Sequence, residues 1–150
     1  MNKADYAKEI FESGCNCSQA VFCAFHDRTS LSKDEALRLS AGFGGGFGRM
    51  REVCGAFSGL TMVLSNEFAC SDPSDHEKKK EIYALIQKAA EEFKKENGSI
   101  ICRELLGLSE KTSSPEPEKR TGEYYKKRPC AEICAESASL LEAYLSERTK

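Results

Sequence analysis

The sequence lacks an excess of charge of one sign: 22 basic against 24 acidic residues give a formal net charge of −2 and a pI near 5.8. That excludes the basic surplus with which a nucleic-acid binder neutralises phosphate. Long apolar runs are missing too. The longest, Ala20 to Phe25, falls far short of the ~20 residues of a membrane-spanning helix, and the start Met-Asn-Lys-Ala-Asp carries no signal-peptide apolar stretch. The expectation is a soluble, cytoplasmic protein with no nucleic-acid partner and no membrane insertion. Histidine is scarce. His26 and His76 are the two present, each read as a surface or helix-end residue, and no Cys-x-x-Cys-His segment occurs, so c-type haem is not expected. Cys-x-x-Cys itself is absent, which removes a local zinc-finger loop. No internal repeat is visible.

Against these absences stands an abundance of thiol. Eight cysteines (Cys15, Cys17, Cys23, Cys54, Cys70, Cys102, Cys130, Cys134) occur among 150 residues, roughly 5% and below the density of a disulfide scaffold. In a reducing compartment, thiols in this number are more often metal ligands or redox groups than structural bridges. The length suits one domain, 1–150, with a single core.

Apolar periodicity gives helices and no convincing strand. Ala4 to Ser13 stops at Gly14; Cys17 to His26, opened by an Asn16/Gln19 capping box, is apolar nearly all round and reads as a central helix. Ser32 with Glu35 opens a third helix that ends at Gly42, and a glycine loop, Gly42 to Gly48, leads to a helix over Cys54 to Phe68. Asp72-Pro73 reads as the start of a long helix ending at Asn97-Gly98, and Ser99 as the cap of a short one closed by Gly107. Leu108 to Arg128 is polar and aperiodic, a surface loop, and a last helix starts near Pro129. The expected fold is all-α, a compact bundle of about six to seven helices with a glycine-rich loop.

Four cysteines fall in the first turn of these helices: Cys17, Cys54, Cys102 and Cys130. A helix start presents unpaired N–H groups and the positive end of the dipole, which favour thiolate over thiol. If the four starts converge, they form a pocket suited to a metal ion, an iron–sulfur cluster or a reversible disulfide. Their separations of 37, 48 and 28 residues leave that convergence to the fold. Cys15 and Cys134, beside Cys17 and one turn from Cys130, are auxiliary candidates. Cys23 and Cys70 read as packing or stray thiols.

The glycine loop has two readings. Its N–H groups at Gly45, Gly46 and Gly48, with Arg49 and Arg51, form a candidate cofactor-binding segment that lowers the pKa of Cys54. Alternatively, Gly42 to Gly48 permits a sharp crossover, and Gly55 with Gly59 permits close helix approach. It is not a nucleotide fingerprint, because no strand precedes it and no Gly-Lys-Ser/Thr occurs.

The segments Asn16-Cys17-Ser18-Gln19-Ala20-Val21, Gly46-Phe47-Gly48-Arg49 leading to Val53-Cys54-Gly55-Ala56-Phe57-Ser58-Gly59, Cys102-Arg103-Glu104-Leu105-Leu106-Gly107 and Pro129-Cys130 resemble the C_GCAxxG_C_C family of putative redox-active proteins. The resemblance implies a small helical prokaryotic protein whose four motif cysteines are Cys17, Cys54, Cys102 and Cys130. Related domains in split-Soret cytochromes hold haem and an iron–sulfur centre; without a haem attachment motif here, only the cluster carries over. Two functions are therefore expected. One is redox, an oxidoreductase or electron carrier serving a redox partner through an iron–sulfur cluster or thiol–disulfide exchange. The other is a structural zinc module that binds a partner protein or a second copy of itself.

Overall fold

Side-chain caps set where the chain turns into helix. The computed structural model describes residues 1–109 and 112–148. Helix α1 (Lys3–Glu12) is capped by Asn2, whose Oδ1 accepts from the Asp5 N–H at 2.8 Å, and it ends before Gly14 at φ +115°. Helix α2 (Cys17–Ala24) opens with the Asn16/Gln19 box in both directions, and α3 (Lys33–Ser40) with Ser32/Glu35. Each such cap is worth about 1 kcal/mol. The glycine segment forms a single turn, α4 (Gly44–Phe47), with Gly45 and Gly46 left-handed. Then follow α5 (Gly55–Phe68), α6 (His76–Asn97), α7 (Cys102–Leu105), α8 (Gly122–Lys127) and α9 (Cys130–Arg148).

The fold is all-α. Among the described residues the one β-type pairing is an isolated antiparallel bridge between Val53 and Ile101. None of their helices is long and apolar enough to cross a membrane. As its all-round apolarity foretold, α2 is central: Ala20 to Phe25 are all buried, and the helix packs against α1, α3, α5 and α9. Leu60, Val63 and Leu64 of α5 and Ile133, Leu141 and Leu145 of α9 complete the core, each side chain contributing about 1.5–3 kcal/mol by leaving water.

Three expectations are corrected. The long helix starts at His76 rather than at Asp72-Pro73, because Asp72 folds into its own turn, accepting from the Ser74 N–H at 2.9 Å, while Asp75 caps α6. Ser99 does not cap α7; its hydroxyl accepts from the Ile101 N–H and binds Glu104, leaving Ile101 at the cap position. The segment Leu108 to Arg128 is not loop throughout, since Thr121 accepts from the Tyr124 N–H and starts α8. Helices α4 and α8, with 3-10 turns at His26–Arg28 and Ala41–Phe43, are the helical elements beyond the seven read from sequence among the described residues.

Candidate functional site

Four helix starts place the four motif cysteines. Cys17 is the first residue of α2, Cys102 of α7 and Cys130 of α9, and Cys54 is the N-cap of α5. Two glycines set the distance between α2 and α5. A β-carbon on Gly55 would lie 3.1 Å from that of Cys17, and one on Gly59 would lie 2.9 Å from the Ser18 carbonyl oxygen. Any side chain there would therefore push Cys17 away from Cys54. The Val53–Ile101 bridge ties the next pair together: the Cys54 N–H donates to the Ile100 carbonyl (2.7 Å) and the Cys102 N–H to the Glu52 carbonyl (2.6 Å). Helix α9 lies along α1, α2 and α5 and brings Cys130 and Cys134 to the same place.

Cys17 is the hub, hydrogen-bonded through its thiol to both Cys130 and Cys134. The Cys134 thiol also lies 3.8 Å from the Cys17 carbonyl, as donor. Cys54 faces Cys102 and Cys130, so five sulfurs share one region. Cys17 and Cys130 are half-buried; Cys54, Cys102 and Cys134 are buried.

Protonation runs opposite to the expectation from helix starts. Burial pushes the Cys54 thiol up to about 12, against the pull of the Ala56 and Phe57 amides. The Cys130 thiol is pushed far up by its bond to Cys17 and then by burial. For Cys17 the bond from Cys130 pulls down, but the bond to Cys134 and burial prevail. Cys134 follows the same pattern, its bond to Cys17 outweighed by burial and neighbouring sulfurs. The physical reason is magnitude. A helix start is worth ~0.3–1 kcal/mol, whereas full burial moves a titrating group by up to ~3–5 pKa units. The resting cluster is therefore a set of protonated thiols.

A family model described as putative redox-active protein (C_GCAxxG_C_C) matches residues 15–144. The chain belongs to this family. Curated proteins and solved structures return no match. The match spans all five clustered cysteines of this C_GCAxxG_C_C protein.

The glycine loop of the C_GCAxxG_C_C chain packs closely and also borders a cleft. Gly44 sits against the Asn16 side chain, and a β-carbon on Gly46 would lie 2.5 Å from that of Cys102. Gly45, Gly48, Arg49 and Arg51 line a cleft of about 310 Å³; Gly46 is buried and outside that lining. Phe47, Arg49 and Arg51 hold left-handed φ of +72°, +65° and +60°, a strain of about 1–3 kcal/mol each. Neither arginine is among the principal influences on the Cys54 thiol. Arg51 is buried and donates through Nη1 to the Cys102 sulfur at 3.6 Å and through Nε to Ser113 Oγ at 2.9 Å. It pulls the Cys102 thiol down, but burial is larger and leaves that thiol raised. Arg49 donates through Nε to the Ser114 carbonyl at 2.6 Å. The turn carries both side chains past Cys54 toward α7 and residues 112–121.

Of the remaining thiols in this C_GCAxxG_C_C protein, Cys15 is half-buried and acts on Cys23, Cys23 is buried beside Ser40, and Cys70 is exposed. His26 is half-buried at a 3-10 turn, and His76 is exposed at the start of α6. Sequence reasoning passed over Arg120, Tyr124 and Arg128, which lie in the segment read as a loop. Arg120 clamps that segment onto the core, donating to the Phe11 (3.1 Å) and Cys15 (2.8 Å) carbonyls with its guanidinium 4.7 Å from the Phe11 and Tyr124 ring centres. An arginine followed by two tyrosines was the available signal.

Sulfur donors suit zinc or an iron–sulfur cluster by chemistry. Among the described residues no group of three or more His, Cys, Asp or Glu is set as it stands to hold a metal ion.

Proposed function

We propose that this C_GCAxxG_C_C protein cycles between dithiol and disulfide, with Cys17 and Cys130 as the exchanging pair. The observation that carries the reading is the pairing of these two thiols between two helix starts, in residues that are only partly buried. In the exchange, one of these sulfurs loses its proton and attacks a sulfur of a substrate disulfide, releasing the first substrate thiol. The other sulfur then attacks the mixed disulfide and releases the second. Two electrons pass from the pair to the substrate, and the two protons end on the two product thiols. Cys134, bonded to Cys17 from one turn along α9, serves as a proton partner to that sulfur. A reducing prokaryotic cytoplasm is part of the proposal, since the reaction starts from the dithiol form.

The test is titration of the anaerobically reduced protein with a small disulfide, followed by non-reducing peptide mapping. The expected product is one Cys17–Cys130 bond, lost in Cys17→Ser and in Cys130→Ser and retained in Cys70→Ser. Thiols that stay unpaired through the titration overturn the reading. The chemistry of the sulfur donors supports a second reading, ligation of an iron–sulfur cluster or zinc by Cys17, Cys54, Cys102 and Cys130. Iron, sulfide and zinc analysis of the same anaerobic protein separates the two: stoichiometric metal that chelator removes together with the fold favours the second, and metal-free folded protein the first.

A further inference from the structure

Among the described residues, the cleft beside the thiols is lined by four guanidinium groups, Arg49, Arg51, Arg120 and Arg128, and by one acid, Glu118. Arg128 pairs with that acid at 2.5 Å. Among the described residues, the other three are held by neutral groups: Arg49 by the Ser114 carbonyl, Arg120 by two carbonyls and aromatic faces, and Arg51 by a hydroxyl and a sulfur. Arg51 is only 5% exposed. Taking a charge out of water costs several kcal/mol unless a counter-charge meets it, so a cleft of this kind favours an anion. Guanidinium forks suit carboxylate oxygens in particular.

No cysteine is among the described residues lining the cleft, but its wall adjoins the thiols: Asn16 precedes Cys17 in the chain and Arg128 lies two residues before Cys130. Arg51 touches Cys102, and Arg120 and Arg128 act electrostatically on Cys130. Its volume, about 310 Å³, lies at the small end of ligand pockets, roughly 300–1,000 Å³, which fits a small molecule rather than a protein segment. We infer that the arginine cleft is the substrate-binding site and that it takes a small disulfide carrying carboxylates, presenting the sulfur–sulfur bond to Cys130. This inference rests on the dithiol reading. Cys130 attacks one substrate sulfur, the sulfur–sulfur bond breaks, and the proton of Cys130 passes to the other substrate sulfur, which leaves as a carboxylated thiol. Cys17 then displaces the second thiol from Cys130, and the substrate ends as two thiols.

The test compares dithiodiglycolate, a dianion, with the neutral bis(2-hydroxyethyl) disulfide as oxidants of the full chain, each rate normalised to that disulfide's rate with 2-mercaptoethanol. The expected preference for the dianion is roughly tenfold or more at low salt. It shrinks as ionic strength rises, and most of it is lost in Arg49→Gln and in Arg128→Gln. Equal normalised rates overturn the anion site and leave the dithiol reading standing if both reagents produce the Cys17–Cys130 bond. If neither reagent reacts, the dithiol reading and the disulfide substrate fall together, and calorimetry with adipate, the sulfur-free analogue of the dianion, decides the cleft. Adipate binding that weakens in Arg49→Gln supports an anion site there; no binding overturns it.

Discussion

Gly59 meets the Ser18 carbonyl so closely that a β-carbon on the glycine would lie 2.9 Å from that oxygen and 3.0 Å from the Val21 β-carbon. Both obstacles belong to α2, and a backbone carbonyl cannot rotate aside. Gly59→Ala gains up to ~1 kcal/mol of helix propensity but incurs an overpacking cost of about 1–3 kcal/mol, so the expected outcome is net destabilisation. Gly122→Ala, where no atom lies within 4 Å, is expected to be neutral or stabilising. Urea unfolding of the two variants beside the parent checks the contrast.

Stability should fall on the alkaline side. In the unfolded chain Cys54 titrates near the usual thiol value of ~8.5; in the fold, burial holds it protonated up to about 12. The folded state thus retains a proton that the unfolded state loses. That contribution is fully present below about pH 8.5 and is lost as pH rises toward 12, at no more than about 1.4 kcal/mol per pH unit for each such group. Tyr124, pushed up to about 12 by burial, adds the same sign from about pH 10. Denaturant midpoints measured from pH 7 to 11 should drop, and the drop should be shallower in Cys54→Ala.

Alkylation of the native protein should be strongly uneven. Cys70 is exposed, whereas Cys23 and Cys134 are fully buried, and burial protects a thiol both by blocking access and by disfavouring thiolate. Brief iodoacetamide treatment at neutral pH should modify Cys70 first and leave Cys23 and Cys134 unmodified until denaturant is added. Mass mapping of labelled peptides reads this directly, and early labelling of Cys134 would contradict the packing of α9.

Arg51→Met tests the guanidinium on Cys102. The arginine is the chief group pulling that thiol toward ionisation, against burial. Its removal should slow Cys102 alkylation at pH 9 several-fold relative to Cys70 in the same molecule. Global stability should change little, since replacing an incompletely paired buried charge by an apolar side chain is often neutral or favourable. A Cys102 rate unchanged relative to Cys70 would show that the 3.6 Å contact has no electrostatic consequence.

Much of this arrangement was legible in the sequence, for reasons that are local. Asn16 with Gln19 and Ser32 with Glu35 fix their helix starts because each cap reaches only three residues along the chain. The apolar circumference of α2 marked it as central. The placement of Cys17, Cys54, Cys102 and Cys130 at helix starts could be read in the same way. Their protonation could not, because it depends on burial by segments far away in sequence. Arg51 illustrates the limit: proximity in sequence pointed it at Cys54, but its left-handed backbone and the Val53–Ile101 bridge direct it to Cys102. Arg120 and Arg128 were hidden for a similar reason, since an aperiodic polar segment does not reveal which surface it folds against.

Cys17 and Cys130 stand 113 residues apart in the chain, yet their thiols share a hydrogen bond. A covalent bond between them would turn most of the protein into a closed ring. For a loop of roughly 100 residues, ring closure removes enough freedom from the unfolded chain to favour the native state by about 4–5 kcal/mol. Oxidation would then act as a brace across the molecule, and each reducing event would return both thiols and the conformational freedom of the open chain. Resistance to heat and proteolysis would rise and fall with the redox cycle.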